Sequence, residues 1–187
     1  MPTPDGRRFP ASEPWAYFLT IACYGRRLHG DPRGSIDRDN NQWGTPILTL
    51  NSTRQISEQS RMREDRAELD TEAREIVLKS IQSVSRHENW ALHAVHVRSA
   101  HAHIVLGAAG RPEKVAGKLK AYASRALNEA FGKRSKRWTP HASTVYLWDA
   151  REVDNAVHYV VHEQGAPMAC YVNPNRWQEH IRSPKSR

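Results

Sequence analysis

The chain has 187 residues, 39% of them hydrophobic and 26% charged, which is enough apolar side chain to bury the core of one domain and too much for a disordered chain. Lysine and arginine outnumber aspartate and glutamate by 28 to 20, and the resulting +8 charge favours a polyanionic partner, nucleic acid first, although basicity also serves solubility. No apolar run reaches the roughly 20 residues of a membrane span, the amino-terminal stretch lacks the apolar core of a secretory signal, and Cys23 and Cys170 are too few for a disulfide framework; the expectation is a cytoplasmic protein with no membrane partner.

Residues 15–24 (WAYFLTIACY) are aromatic and β-branched and predict a first strand. Residues 29–68 are polar, with Gly-Asp-Pro-Arg-Gly and Asp-Asn-Asn-Gln-Trp-Gly, and read as a long insertion, a loop class that is usually functional or disordered. Asp70 is placed to cap a helix over 71–87, in which Ile76, Val77, Ile81 and Val84 recur near the helical period. Residues 90–97 and 101–106 read as an antiparallel hairpin joined by Arg98-Ser99-Ala100. Pro112 suits the first turn of a second helix, along which Val115, Leu119, Tyr122, Ala126 and Ala130 follow one face. A basic stretch at 132–138 leads to a fourth strand at 143–148. Asp149 and Glu152 match a capping box for a last helix whose apolar period (Val153, Ala156, Val157, Val160, Val161) runs until Gly165. The tail at 166–187 is mixed and basic, without a period, and is expected to pack loosely or to contact DNA.

The order strand, helix, strand, strand, helix, strand predicts an α+β domain spanning 1–187, a ferredoxin-like antiparallel sheet with helices on one face and an added C-terminal helix. On the third strand, His101 and His103 are separated by Ala102 alone, so they project from one face about 7 Å apart along the chain and can share a cation. Ala102, Ile104 and Leu106 face the other way and can fix that strand against helices. On the last helix, Tyr159 lies on the polar flank and Glu163 one turn beyond it. Taken singly, each of these residues is as well explained as a partly exposed histidine, an amphipathic tyrosine or a solvated charge.

Taken together and in order, residues 90–106 (WALHAVHVRSAHAHIVL) and 159–165 (YVVHEQG) resemble the single-tyrosine HUH transposases, and especially their relatives the REP-associated tyrosine transposases. Residues 17–21 (YFLTI), 24–31 (YGRRLHGD) and 119–122 (LKAY) add softer likenesses, so the resemblance covers most of the chain. It implies a divalent cation, magnesium or manganese, held by His101 and His103, a nucleophilic Tyr159, and chemistry on hairpin-bearing single-stranded DNA through a covalent 5′-phosphotyrosine. Relatives assemble the site within one chain or across a homodimer. The family places glutamine or asparagine one turn after the tyrosine as third ligand; here that position is Glu163, with Gln164 next, and Glu163 ranks first by register and charge. Ala102 is smaller than the bulky hydrophobe the family sets between the histidines.

A free phenol is a weak nucleophile near neutrality and needs activation. Tyr122, in a basic helix, is the rival nucleophile, although its apolar register suits the core. Lys118, Lys120, Arg125, Lys133, Arg134, Lys136 and Arg137 are candidate phosphate contacts. Two other readings stay open: a domesticated DNA-binding protein of the same fold that has lost catalysis, and a zinc hydrolase, which lacks a third histidine or cysteine at zinc spacing.

Overall fold

Asp70 accepts the Ala73 amide at 2.8 Å and so opens helix α1 (Thr71–His87) at the position its sequence predicts. The computed structural model describes residues 13–25 and 65–175. Within them the chain runs β1 (Ala16–Ala22), α1, β2 (Ala91–Val97), β3 (His101–Gly107), α2 (Pro112–Phe131), β4 (Ser143–Leu147), α3 (Ala150–His162) and β5 (Ala169–Val172). The five strands form one antiparallel sheet in the order β4-β1-β3-β2-β5. The first four have the ferredoxin-like order that the sequence predicts, with β1 and β3 in the middle.

Strand alternation sorts side chains onto the two faces. Tyr17, Leu19 and Ile21 of β1 join Ala102, Ile104 and Leu106 of β3 in the main core, against Val77, Ile81 and Val84 of α1 and Val115, Leu119 and Ala123 of α2. The opposite face carries a smaller cluster in which Ala16, Ala94, Val105 and Leu147 meet Val153, Ala156, Val157 and Val160 of α3. The two helices of the ferredoxin-like unit thus cover one face and the added helix covers the other. Tyr122 packs at the edge of the main core, as its register implies.

Helix α3 begins as its capping box predicts, with the Glu152 amide donating to Asp149 Oδ1 at 2.8 Å. The returning carboxylate, Glu152 Oε2, takes the Trp148 amide at 2.6 Å. The helix ends at His162, earlier than its apolar period suggests, and Glu163 is its C-cap. Two other expectations change. Residues 169–172, assigned to a loosely packed tail, form edge strand β5 on β2; four residues are too few to display a period. Ala67 and Leu69, assigned to the polar insertion, are buried, and their amides bond Tyr24 O and Ser99 O at 2.9 and 2.8 Å. The rest of that insertion, up to residue 64, and the tail from 176 lie outside the described residues. Among the described residues both cysteines are free and no helix is long and apolar enough to cross a membrane.

Candidate functional site

His101 and His103 stand on the α3 face of β3, because Ala102 between them turns into the main core. Their ring centroids are 4.6 Å apart, closer than their spacing along the strand, since the rings lean together at 70°. His103 is buried and His101 half-buried. Thr20, opposite His103 on β1, holds its Nδ1 at 2.9 Å through the hydroxyl, so that a cation would be taken by Nε2.

Tyr159 reaches this pair from the last turns of α3. Its ring lies 6.0 Å from that of His103, and it remains 39% exposed, so a bulky substrate can approach the phenol. Phe18, two residues before Thr20 on the same face of β1, fills the corner between them, with its ring 5.4 Å from His103 and 5.8 Å from Tyr159. One chain therefore brings its own tyrosine to its own histidine pair. Such an arrangement can hold a phosphodiester between a cation-binding edge and a nucleophilic oxygen.

The candidate third ligands are placed differently. Glu163 Oε1 faces His158 Nδ1 at 3.2 Å, and Gln164 Nε2 turns back to Tyr159 O at 3.4 Å. Because α3 stops at His162, Glu163 is no longer on a helical turn below Tyr159 and its carboxylate leaves the phenol's side. Among the described residues, no group of three or more His, Cys, Asp or Glu side chains is arranged to hold a metal ion.

Residues 60–162, which span both histidines and Tyr159 and end with α3, match the family described as "Transposase IS200 like". The chain belongs to the IS200-like transposase family. Its members are DNA-processing proteins, and a transposase-like, DNA-directed function follows for this one. Glu163 and Gln164 fall just beyond the matched segment. Two solved structures resemble the fold: a REP-associated tyrosine transposase bound to a REP hairpin and a Deinococcus radiodurans R1 protein titled as a transposase. The first shares 12% identity over 84% of this chain and 70% of the other, with a TM-score of 0.44. The second shares 13% over 80% and 91%, with a TM-score of 0.42. No curated protein matches the sequence.

For a DNA-processing family the basic side chains matter, and the structure divides them. Lys118 pairs with Glu88 at 2.6 Å. Lys120 points its ammonium at the carbonyls of Thr139, Pro140 and His141, at 2.8, 3.3 and 2.9 Å, and burial pushes its pKa below the usual lysine value. Arg137 tethers the end of α2 through Asn128 Oδ1 and Gly132 O, both at 2.9 Å. Arg125 lies over the Tyr122 ring and Lys136 over the Tyr24 ring, each at 5.1 Å. Arg134 reaches the Asp65 carbonyl. Lys133 is exposed in a depression that it shares with Phe131, Gly132 and Arg134. This basic segment borders the catalytic end of the sheet: Tyr24 N donates to Arg137 O and Thr139 N to Ala22 O, and Ala22 is the register partner of His101.

Phe18 and Thr20 are the site residues that the sequence does not reveal. Their alternation says that they share a face, but only the sheet order places that face beside the histidines.

Proposed function

We propose that this transposase-family chain is a metal-dependent endonuclease and strand transferase for hairpin-bearing single-stranded DNA, with Tyr159 as nucleophile. The observation that carries the reading is the approach of the partly exposed Tyr159 ring to the His101 and His103 pair within one chain. The domain is taken as one unit over 1–187.

Two imidazoles fit part of the donor set of a divalent cation such as magnesium or manganese, which leaves positions for phosphate oxygens and water; Glu163 and Gln164 are the oxygen donors that could complete it. When bound, such a cation polarises the phosphate and stabilises the charge that develops on it. The remaining work falls to the chain. Phe18 supports the Tyr159 ring, and Thr20 orients His103. The phenolic oxygen attacks phosphorus as the bond from phosphorus to the 3′ oxygen breaks. The phenol loses its proton and the departing 3′ oxygen takes one up, which leaves a 3′-hydroxyl and a 5′-phosphotyrosine. Because the phosphodiester energy is retained in that linkage, a 3′-hydroxyl can attack it later and rejoin strands without a nucleotide cofactor.

The test mixes the full chain and manganese with a pool of single-stranded hairpin oligonucleotides and seeks DNA linked to Tyr159 by denaturing gel and mass spectrometry. The expected result is an adduct that is lost in Tyr159→Phe and His101→Ala. Undiminished cleavage by Tyr159→Phe would overturn the assignment, and tight binding with no adduct across the pool would identify a DNA-binding protein that has given up catalysis.

A further inference from the structure

His96 lies on β2, fully buried, on the face that α3 covers. Its Nδ1 is 2.9 Å from Val160 O, and its Nε2 receives the Met168 amide at 3.1 Å. A backbone amide can only donate, so Nε2 is the acceptor and Nδ1 carries the hydrogen that goes to Val160. Only the neutral imidazole with hydrogen on Nδ1 satisfies both groups. Burial, with a smaller push from the Arg98 guanidinium, lowers the pKa of His96 against the opposing effect of the Val160 bond, the direction that favours this neutral form.

The two groups it joins are informative. Val160 follows Tyr159 directly, and its carbonyl is among the last four of α3, which have no partner within the helix. Met168 stands at the threshold of β5. One imidazole therefore ties the end of the tyrosine helix to the strand that follows it, across the turn at 163–168. Arg98, two residues along β2, holds the same turn from outside through Ala166 O at 3.1 Å. The apolar contacts of α3 come from valines and alanines, and they keep the helix on the sheet without fixing its rotation, because burial is non-directional. The two His96 bonds are directional.

We propose that His96 is a positioning residue for Tyr159, setting the rotation and depth of the last turn of α3 through Val160 and Met168 so that the phenol faces His101 and His103. This rests on the reading of Tyr159 as the nucleophile. A buried histidine placed only to fill space would be replaceable by leucine with the tyrosine undisturbed; a positioning histidine would not.

The test uses the full chain with His96→Leu, which removes both bonds, His96→Asn, whose amide can restore the one to Val160, and His96→Gln, whose oxygen can restore the one from Met168. Amide exchange is followed at 160–168 and, as control, at β1 and β3. Single-turnover cleavage and hairpin affinity are measured with saturating DNA. The expected result for His96→Leu is faster exchange confined to 160–168, hairpin affinity within about twofold of the parent, and cleavage slowed about 100-fold, the scale of a reacting group misplaced by about 1 Å. His96→Asn should recover about tenfold of that loss. If His96→Leu does not fold, Asn and Gln carry the test, with slowed cleavage at parental affinity expected for each. Cleavage at the parental rate by any folded variant whose 160–168 exchange has risen would overturn the proposal, as would unchanged exchange there in His96→Leu. The exchange measurement needs no active enzyme, so a parent that forms no Tyr159 adduct would defeat the functional reading while leaving the clamp separately decided.

Discussion

The rings of Tyr159 and His103 stand 6.0 Å apart, at 69° to each other, although one belongs to a helix lying on the sheet and the other to a strand within it. Phe18 touches neither reacting atom, yet its ring lies within 5.8 Å of both. It is the lateral support of an otherwise exposed tyrosine. Phe18→Ala should slow single-turnover cleavage about 10- to 100-fold while leaving hairpin affinity near the parental value, since the phenol loses its fixed bearing but the DNA contacts remain. Phe18→Leu should restore most of the rate. A parental rate in Phe18→Ala would remove the residue from the site.

Thr20 holds His103 from the side away from the proposed cation. Groups of this kind fix the tautomer and the ring orientation, and their loss typically weakens metal binding 10- to 100-fold. Thr20→Val keeps the shape and removes the bond, so manganese affinity measured by calorimetry should fall about tenfold with the melting temperature nearly unchanged. Thr20→Ser, which retains a hydroxyl, should bind manganese as the parent does.

The basic residues should separate into two experimental classes. Lys120 donates to three carbonyls ahead of β4, so Lys120→Met should cost about 1–3 kcal/mol of unfolding free energy, as expected where acceptors lose a donor. It should leave the salt dependence of DNA binding unchanged. Lys133→Ala should do the reverse: stability within about 0.5 kcal/mol of the parent, and a slope of log affinity against log salt shallower by about 0.7 to 0.9, the value for one phosphate contact. An unchanged slope in Lys133→Ala would take that residue out of the DNA surface.

At the other end of α3, Asp149 accepts the Glu152 amide. Asp149→Ala should destabilise the protein by about 1 kcal/mol and speed amide exchange in the first turn, read by chemical denaturation and hydrogen exchange. Tyr159, three turns away, should keep its place.

Much of this site can be read from the chain. The His101-Ala102-His103 alternation places both imidazoles on one face, because a strand offers no other arrangement, and the capping box at Asp149 and Glu152 fixes where the tyrosine helix starts. Where α3 ends is less legible. An apolar period that runs on to Val161 is compatible with another turn, yet backbone contacts made by His96 and Arg98 with the turn after His162 divert the chain into β5. That diversion is what separates Glu163 from the place its register implies. The roles of Phe18, Thr20 and His96 depend on which strands become neighbours, a long-range outcome that local patterns do not encode.

Helix α3 leaves from β4 and returns to β5, and these strands are the two opposite margins of the sheet. The helix is thus a strap buckled at both borders, crossing the face where the histidines lie. A strap of this kind cannot be traded with a second copy by swinging on one hinge. Its far buckle, the four register pairs between β2 and β5, would have to open as well. The topology itself therefore sets a threshold against lending the nucleophile to a neighbour, and any such exchange would announce itself by the loss of protection along β5.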